Sequence, residues 1–403
     1  MTTTRVPVSE LQIGMYVARL DLSWFRSPLL RHSFLIEHPS QIEKLVRAGV
    51  KMVDIDLTRG IASPSQQIAD ITAATTQAAT KAAPTWSMKQ PKPLAQLNEE
   101  YAQAKLAKRQ MDQAVQSVFT TITKTGTVNP QQAAEAVQEI TIAMRTLTDS
   151  AIFMALSQNR AEDSSLSQHA LAACTLSLVV GQAVQLNPLE QHELATAALL
   201  HDIGLLQVRP AIVRHTHLAS DLSKANRQEF ETHPRRAVLM LEKQRGIDAA
   251  MLHLIANHHV YLDDSGYPKE SRGQFTSDRT RILMVVDRYD ELTTGFGGTA
   301  PLTPHHAFQR LYQEAQQGKL DQRIVSLFIA RIGIYPVHSH VRLNTQELAV
   351  ITELHQEKLH QPVVTITHQP GGIEYPAPFV VDLAQQTGNP QVRAIETIIP
   401  MDT

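Results

Sequence analysis

The arrangement of apolar and polar positions changes character several times along the chain. Between about residues 4 and 60, the pieces MYVARLDL and VKMVDIDL alternate or run apolar, with Val and Ile enriched, as strands do. The tract PSQIEKLVRAGV between them predicts a short helix with Ile42, Leu45 and Val46 on one face and Gly49 as its stop. From about 61 to 95 the chain is rich in Ala, Thr, Gln and Pro and poor in large apolar residues, the composition of a flexible linker. From about 96 to 160 apolar residues recur at helical spacing, without a sustained heptad. A helix start is expected at Asn129-Pro130, an N-cap followed by proline at the first helical position. Helical patterning continues from about 166 to 335. After Pro336 the pieces VRLN, ELAVITEL, PVVTITH and FVVDL are short, β-branched and separated by turn-formers.

These shifts predict a multidomain chain with a mainly α-helical core. The divisions expected are a small N-terminal α/β domain over 1–62, a flexible linker over 63–95, a helical connector over 96–144, a larger helical domain over 145–336 and a β-rich C-terminal extension over 337–403. The N-terminal unit and the helices from 96 to 160 are both candidates to pair two copies in a homodimer.

Composition narrows the function. Of 403 residues, 43% are hydrophobic and 19% charged, enough apolar material for a sizeable core. The formal net charge of -2 lacks the basic excess of a nucleic-acid-polymer binder, but leaves room for a small anionic ligand held at a local positive site. The single cysteine, Cys174, rules out an internal disulfide and reads as a small buried hydrophobe. No run reaches the roughly 18 apolar residues of a membrane helix, and the N-terminus has no secretory pattern, so no membrane insertion and a cytoplasmic location are expected.

The chemistry-bearing residues lie in the helical core. His201-Asp202 ends the amphipathic tract LEQHELATAALLHDIG, with Gly204 as the expected stop. The preceding LATAALL is apolar nearly all round, which implies burial, and a buried Asp beside a buried His needs partners. His169, His233, the pair His258-His259 and Asp287 also fall in or at the ends of apolar helices. Taken singly, each is more often a core or capping residue. Taken together, five imidazoles and two carboxylates suit a pair of first-row divalent ions, Fe or Mn, about 3.5–4 Å apart, with Asp202 able to bridge them. Such a pair can grip a phosphate and hold a bridging hydroxide that attacks it. His192, His253, His305, His306, His338 and His340 are read as structural or solvent-facing.

HDIG at 201–204, HH at 258–259, DDSGYP at 263–268 and VVDRYD at 285–290 occur in the order and spacing of the HD-GYP family, which the tract from about 145 to 336 resembles. The opening tract resembles an uncharacterised domain that often precedes HD-GYP domains. The tract IGIYPVHSHVRLNTQELAVI resembles the family's common C-terminal extension. The resemblance implies an HD-type phosphohydrolase fold and a phosphodiesterase opening cyclic di-GMP, or a related cyclic dinucleotide, to pGpG or GMP. It implies His169, His201, Asp202, His233, His258, His259 and Asp287 as metal ligands, His201 and Asp202 being central to catalysis. It also implies a loop at Gly266, Tyr267 and Pro268 that borders substrate and serves contacts with signalling proteins.

The sequence departs from the family at three places. Leu205 replaces the Lys usual after HDIG. Val260 and Asp264 replace the usual Glu after HH and Gly after the loop Asp. The stretch TTGFGGTAPL lacks the usual basic segment. Arg209, Arg214 and Arg288 are the nearby candidates to hold phosphate instead, since guanidinium binds phosphate bidentately. The rival reading is a catalytically impaired module that senses a nucleotide or docks partners.

Overall fold

The structure is a computed structural model. It describes all residues except 1–2, 13, 21–32, 37–38, 57–58, 60–91, 159–164, 216–222, 274–275, 296–299, 356–357, 387–391 and 400–403. The expected linker therefore lies almost wholly outside the described residues. The chain divides into two compact units, Met1–Ala73 and Ala74–Thr403. Among the described residues no helix is long and apolar enough to cross a membrane.

The first unit is an antiparallel sheet of β1 (Thr3–Pro7), β2 (Tyr16–Leu20), β3 (Phe34–Leu35) and β4 (Met52–Asp56), in the order β1-β4-β2-β3, with helix α1 (Pro39–Arg47). Strands β2 and β4 fall where alternation predicts them. Strand β3 has only two residues, too few for alternation to show, and β1 has a single buried position. Leu45 of α1 is fully buried and Ile42 packs against the same core, whereas Val46 faces outward, contrary to expectation. Gly49 ends the helix at φ 78°, the left-handed conformation that glycine adopts without a Cβ penalty.

The second unit begins with α2 (Leu94–Thr125), α3 (Pro130–Met144) and α4 (Asp149–Ser157). Asn129 caps α3 by accepting from the backbone N–H groups of Gln131 and Gln132. The buried positions of α2, among them Leu97, Tyr101, Ala104, Met111, Val115, Val118 and Ile122, repeat at three and four residues. This stripe is closer to a heptad than the sequence suggests, and it packs on α3, α4 and α5 of the same chain. The buried stripe of α2 is thus covered from within the chain.

Helices α5 (Leu166–Ala183) and α6 (Pro188–Leu200) pack against each other at the centre of the unit. Asn187 starts α6 with a reciprocal capping box to Glu190, and Pro188 fills the first turn, where no amide donor is needed. Every residue from Leu194 to Leu200 is buried. Then follow α7 (Pro210–His215), α8 (Lys224–Phe230), α9 (His233–Leu241), α10 (Ala249–Asn257), α11 (Asp278–Thr294), α12 (Pro304–Gln316) and α13 (Gln322–Ile332). The tail forms an antiparallel sheet ordered β8-β7-β6-β5-β9, from β5 (His340–Leu343), β6 (Leu348–Glu353), β7 (Val363–His368), β8 (Glu374–Asp382) and β9 (Ile395–Ile399). Strand β9 was not legible in sequence. The turn before β5 packs on the helices: the His338 ring lies 6.0 Å from the Tyr101 ring, and Ser339 donates to the Met154 sulfur.

The end of α6 differs from expectation. The helix closes at Leu200, and Ile203–Gln207 continue as a 3-10 turn. Gly204 is no left-handed stop. A Cβ built there would collide with the His233 carbonyl oxygen and lie 2.7 Å from the Ala237 amide nitrogen. Glycine is required because this turn is pressed against the first turn of α9. We therefore expect Gly204→Ala to destabilise the fold by about 1–3 kcal/mol or more, the range for overpacking. Denaturant titration measures it; an unchanged midpoint would show that the two turns separate freely.

Candidate metal centre

Seven side chains from five segments converge on one buried point. His169 sits in the first turn of α5, and His201 caps the C-terminus of α6 with Asp202 next in the chain. His233 opens α9 and His258 caps α10, with His259 following. Asp287 lies midway along α11. None of the seven is more than 6% exposed. Helix ends dominate because a side chain there can reach past its own helix toward a common centre.

The Asp202 carboxylate is the hub. Its Oδ1 lies 2.9 Å from His233 Nε2, 3.4 Å from His258 Nε2 and 3.6 Å from His201 Nε2, while Oδ2 lies 3.5 Å from His169 Nε2. Asp287 is the second hub. Its Oδ1 is 3.2 Å from His169 Nε2 and 3.4 Å from His201 Nε2, and its Oδ2 is 3.6 Å from His259 Nδ1. Between the rings, His169 Nε2 and His201 Nε2 approach to 3.0 Å, and His233 Nε2 and His258 Nε2 to 3.3 Å.

The far side of each ring decides what this convergence means. His201, His233 and His258 each place Nδ1 on a carbonyl three residues back, Ala198, Phe230 and Ile255, at 2.7, 2.9 and 2.7 Å. A carbonyl only accepts, so each Nδ1 carries the hydrogen. The Nε2 of a neutral ring then turns a lone pair inward. His169 Nδ1 likewise meets Asp290 Oδ2 at 2.7 Å. Two carboxylates and the inward nitrogens of these rings share one buried space and need positive charge among them, from protons on the imidazoles or from a metal ion. Asp202 Oδ1 accordingly has no hydrogen-bond donor despite its burial. Imidazole nitrogens backed by carbonyl or carboxylate acceptors are the usual arrangement of histidine metal ligands. Four overlapping groups of potential ligands share these residues, each group with its donor atoms within 4.8 Å of one another. The donor set fits divalent metal.

Charge in the cluster is polarised accordingly. Burial would push the Asp202 and Asp287 carboxyls upward, but the surrounding histidines hold both well below the usual carboxylate range. Burial likewise works against a charged His169, yet hydrogen bonds to Asp287 and Asp290 raise it well above the ordinary histidine value. Burial lowers His258 and His259. Both carboxylates are therefore anionic at neutral pH although buried.

Residues 154–324 match the family described as the HD domain, and residues 3–133 match a domain of unknown function, DUF3391. The chain carries an HD-type domain over residues 154–324. It is 28% identical over 367 residues to the cyclic di-GMP phosphodiesterase PA4108 of Pseudomonas aeruginosa, covering 90% of this chain and 84% of that protein. It is 21% identical over 198 residues to the cyclic di-GMP phosphodiesterase PdeB of Borreliella burgdorferi, covering 49% of this chain and 50% of that protein. The solved structure of Bd1817, an HDG"Y"P protein of Bdellovibrio bacteriovorus, aligns over 81% of this chain and 98% of its own at 15% identity and a TM-score of 0.46.

Around the HD-domain centre, the loop after His259 folds back on the histidine pair. Tyr267 donates its amide to the His259 carbonyl at 3.1 Å, and its ring lies 4.6 Å from the His259 ring. Gly266 has φ 81°, and a Cβ there would collide with the same carbonyl. Val260 pairs with Gly266 as an isolated bridge. Asp264 adopts φ 61°, which Asp tolerates, and its carboxylate accepts from the Gly273 amide at 2.7 Å, fastening the loop.

The three arginines expected to grip phosphate do not join the centre. Arg288 is half-buried in a bidentate pair with Glu314 at 2.9 and 3.1 Å and also donates to Glu291 at 2.9 Å. Arg209 is exposed and engaged with Glu229 at 2.7 Å and Asn226 at 3.0 Å. The side chain of Arg214 lies outside the described residues. Leu205 packs with Val208, Ile212 and Phe230, and Tyr267 borders that cluster, so its position is apolar in structure as well as in kind.

Two buried acids of the site were missed in sequence. Asp290 and Glu291 follow Asp287 by three and four residues and so share its helix face. That spacing was the available signal. Asp290 orients His169. Glu291 lies within 4.8 Å of the ligand atoms of His259 and Asp287. Burial and the Asp287 charge push its carboxyl up to about 7, against Arg288. We expect Asp290→Asn to weaken metal affinity about 10- to 100-fold, as removal of an orienting partner does. Chelator-competition titration measures this; an unchanged affinity in the folded variant would remove Asp290 from the orienting shell.

Proposed function

We propose that this chain is a metal-dependent phosphodiesterase that opens a cyclic dinucleotide, with cyclic di-GMP the first candidate, to pGpG or GMP. The observation that carries this reading is the inward convergence of five imidazoles and two unsolvated carboxylates around Asp202 and Asp287. His169, His201, Asp202, His233, His258, His259 and Asp287 would hold two divalent ions, Fe or Mn by the mixed nitrogen and oxygen donor set. Such ions supply Lewis acidity toward a phosphoryl oxygen and bring the acidity of a bound water to a pKa of about 7.

The protein's part is to fix geometry. Asp202 presents one oxygen toward His233 and His258 and the other toward His169, so it can serve two positions at once. The carbonyls of Ala198, Phe230 and Ile255 hold three rings in a single tautomer. Tyr267 covers His259 and restricts water on that side. The names of PA4108 and PdeB, and of two 3'3'-cGAMP-specific phosphodiesterases of Vibrio cholerae that also match, support the cyclic dinucleotide substrate class. The solitary buried Cys174 agrees with a cytoplasmic setting.

The rival reading, a slow or inactive nucleotide-binding module, draws on the buried Leu205 and on the engagement of Arg209 and Arg288 with acids. Turnover separates the two. Protein purified anaerobically and loaded with Fe(II) or Mn(II) is expected to convert cyclic di-GMP to pGpG or GMP, resolved by chromatography. Asp202→Ala removes several kcal/mol of charge stabilisation, on the order of 10³-fold in rate. Cyclic di-GMP binding without turnover, with metal bound, would favour the binding module. Neither binding nor turnover would point to another phosphorylated substrate.

A further inference from the structure

The seven side chains account for two carboxylates, yet a third buried carboxylate faces the same space. Glu291 stands one helical turn beyond Asp287 on α11, is 8% exposed, and lies with His259 and Asp287 in a group whose donor atoms are all within 4.8 Å. Asp287 divides its oxygens: Oδ1 faces His169 and His201, and Oδ2 faces His259. Glu291 therefore adds an oxygen donor on the His259 flank of Asp287.

Resting on the metal-centre reading above, we propose that Glu291 is a further metal ligand, completing with His259 and Asp287 the binding of a divalent cation on that flank. The neighbouring ion pairs fit this role. Arg288 donates to Glu291 Oε2 at 2.9 Å, engaging one oxygen of the carboxylate. Arg288 is itself divided, because Glu314 meets it through both oxygens. Glu291 thus lies between a cation divided over two acids and the like-charged Asp287, where a metal ion would relieve the repulsion between the two carboxylates. One imidazole and two carboxylates form a hard-to-borderline set suited to Mn(II) or Fe(II).

The test is Mn(II) binding to the full chain, by equilibrium titration with metal analysis after gel filtration, for wild type, Glu291→Gln, Glu291→Ala and Arg288→Met. Both Glu291 variants are expected to weaken the weakest Mn(II) step roughly 10- to 100-fold and leave the tightest step unchanged. Arg288→Met is expected to keep wild-type Mn(II) affinity or tighten it, since it removes a competing cation. If Glu291 serves only the ion network, its variants lower the melting temperature without shifting Mn(II) binding, and the proposal is overturned. Equal loss of Mn(II) affinity in Arg288→Met and Glu291→Gln overturns it too, because packing would then explain both. A wild-type chain that takes up no Mn(II) fails the metal-centre reading itself. Uptake by wild type, matched by both Glu291 variants, fails this inference alone.

Discussion

The constraint on which the structure depends is the crowding of Asp202, Asp287 and the nitrogens of the surrounding histidines into one buried space. Buried carboxylates are costly when nothing compensates them, and here compensation must come from protons on the imidazoles or from a metal ion. The protein nevertheless fixes this arrangement from behind, with three backbone carbonyls and Asp290. A fold that builds so rigid a set of acceptors around an unsolvated space is organised to hold positive charge.

The rest of the helical unit serves that convergence. Helix α6 is buried along its second half, so the His201-Asp202 step at its end is delivered into the interior rather than to solvent. Gly204 lets the following turn close on the start of α9, which brings His233 within reach of Asp202. Gly266 performs the same service on the other side, where the loop closes on His259 and lays Tyr267 across it. Two absent side chains thus set the distances among the present ones.

Much of this could be read in the sequence, because His-Asp and His-His steps at the ends of all-apolar helices have few uses. What escaped reading has identifiable physical reasons. Arg288 looked available for phosphate because its partner Glu314 lies 26 residues away, on a different helix. Asp290 and Glu291 drew no role from the sequence, because charged residues late in a helix are usually solvated; this helix is buried on nearly all sides. Gly204 looked like a helix stop because glycine after an apolar helix usually is one; the demand there is close packing. Strands β1, β3 and β9 depend on partners distant in sequence, so local alternation carries little trace of them.

Anomalous diffraction from crystals of the Mn(II)-loaded protein, collected near the manganese edge, tests the central claim most directly. The account predicts peaks within bonding distance of the Asp202 and Asp287 carboxylates, with the Nε2 atoms of His169, His201, His233 and His258 turned toward them. Absence of any peak there, with the same side chains hydrogen-bonded to ordered water, would contradict it.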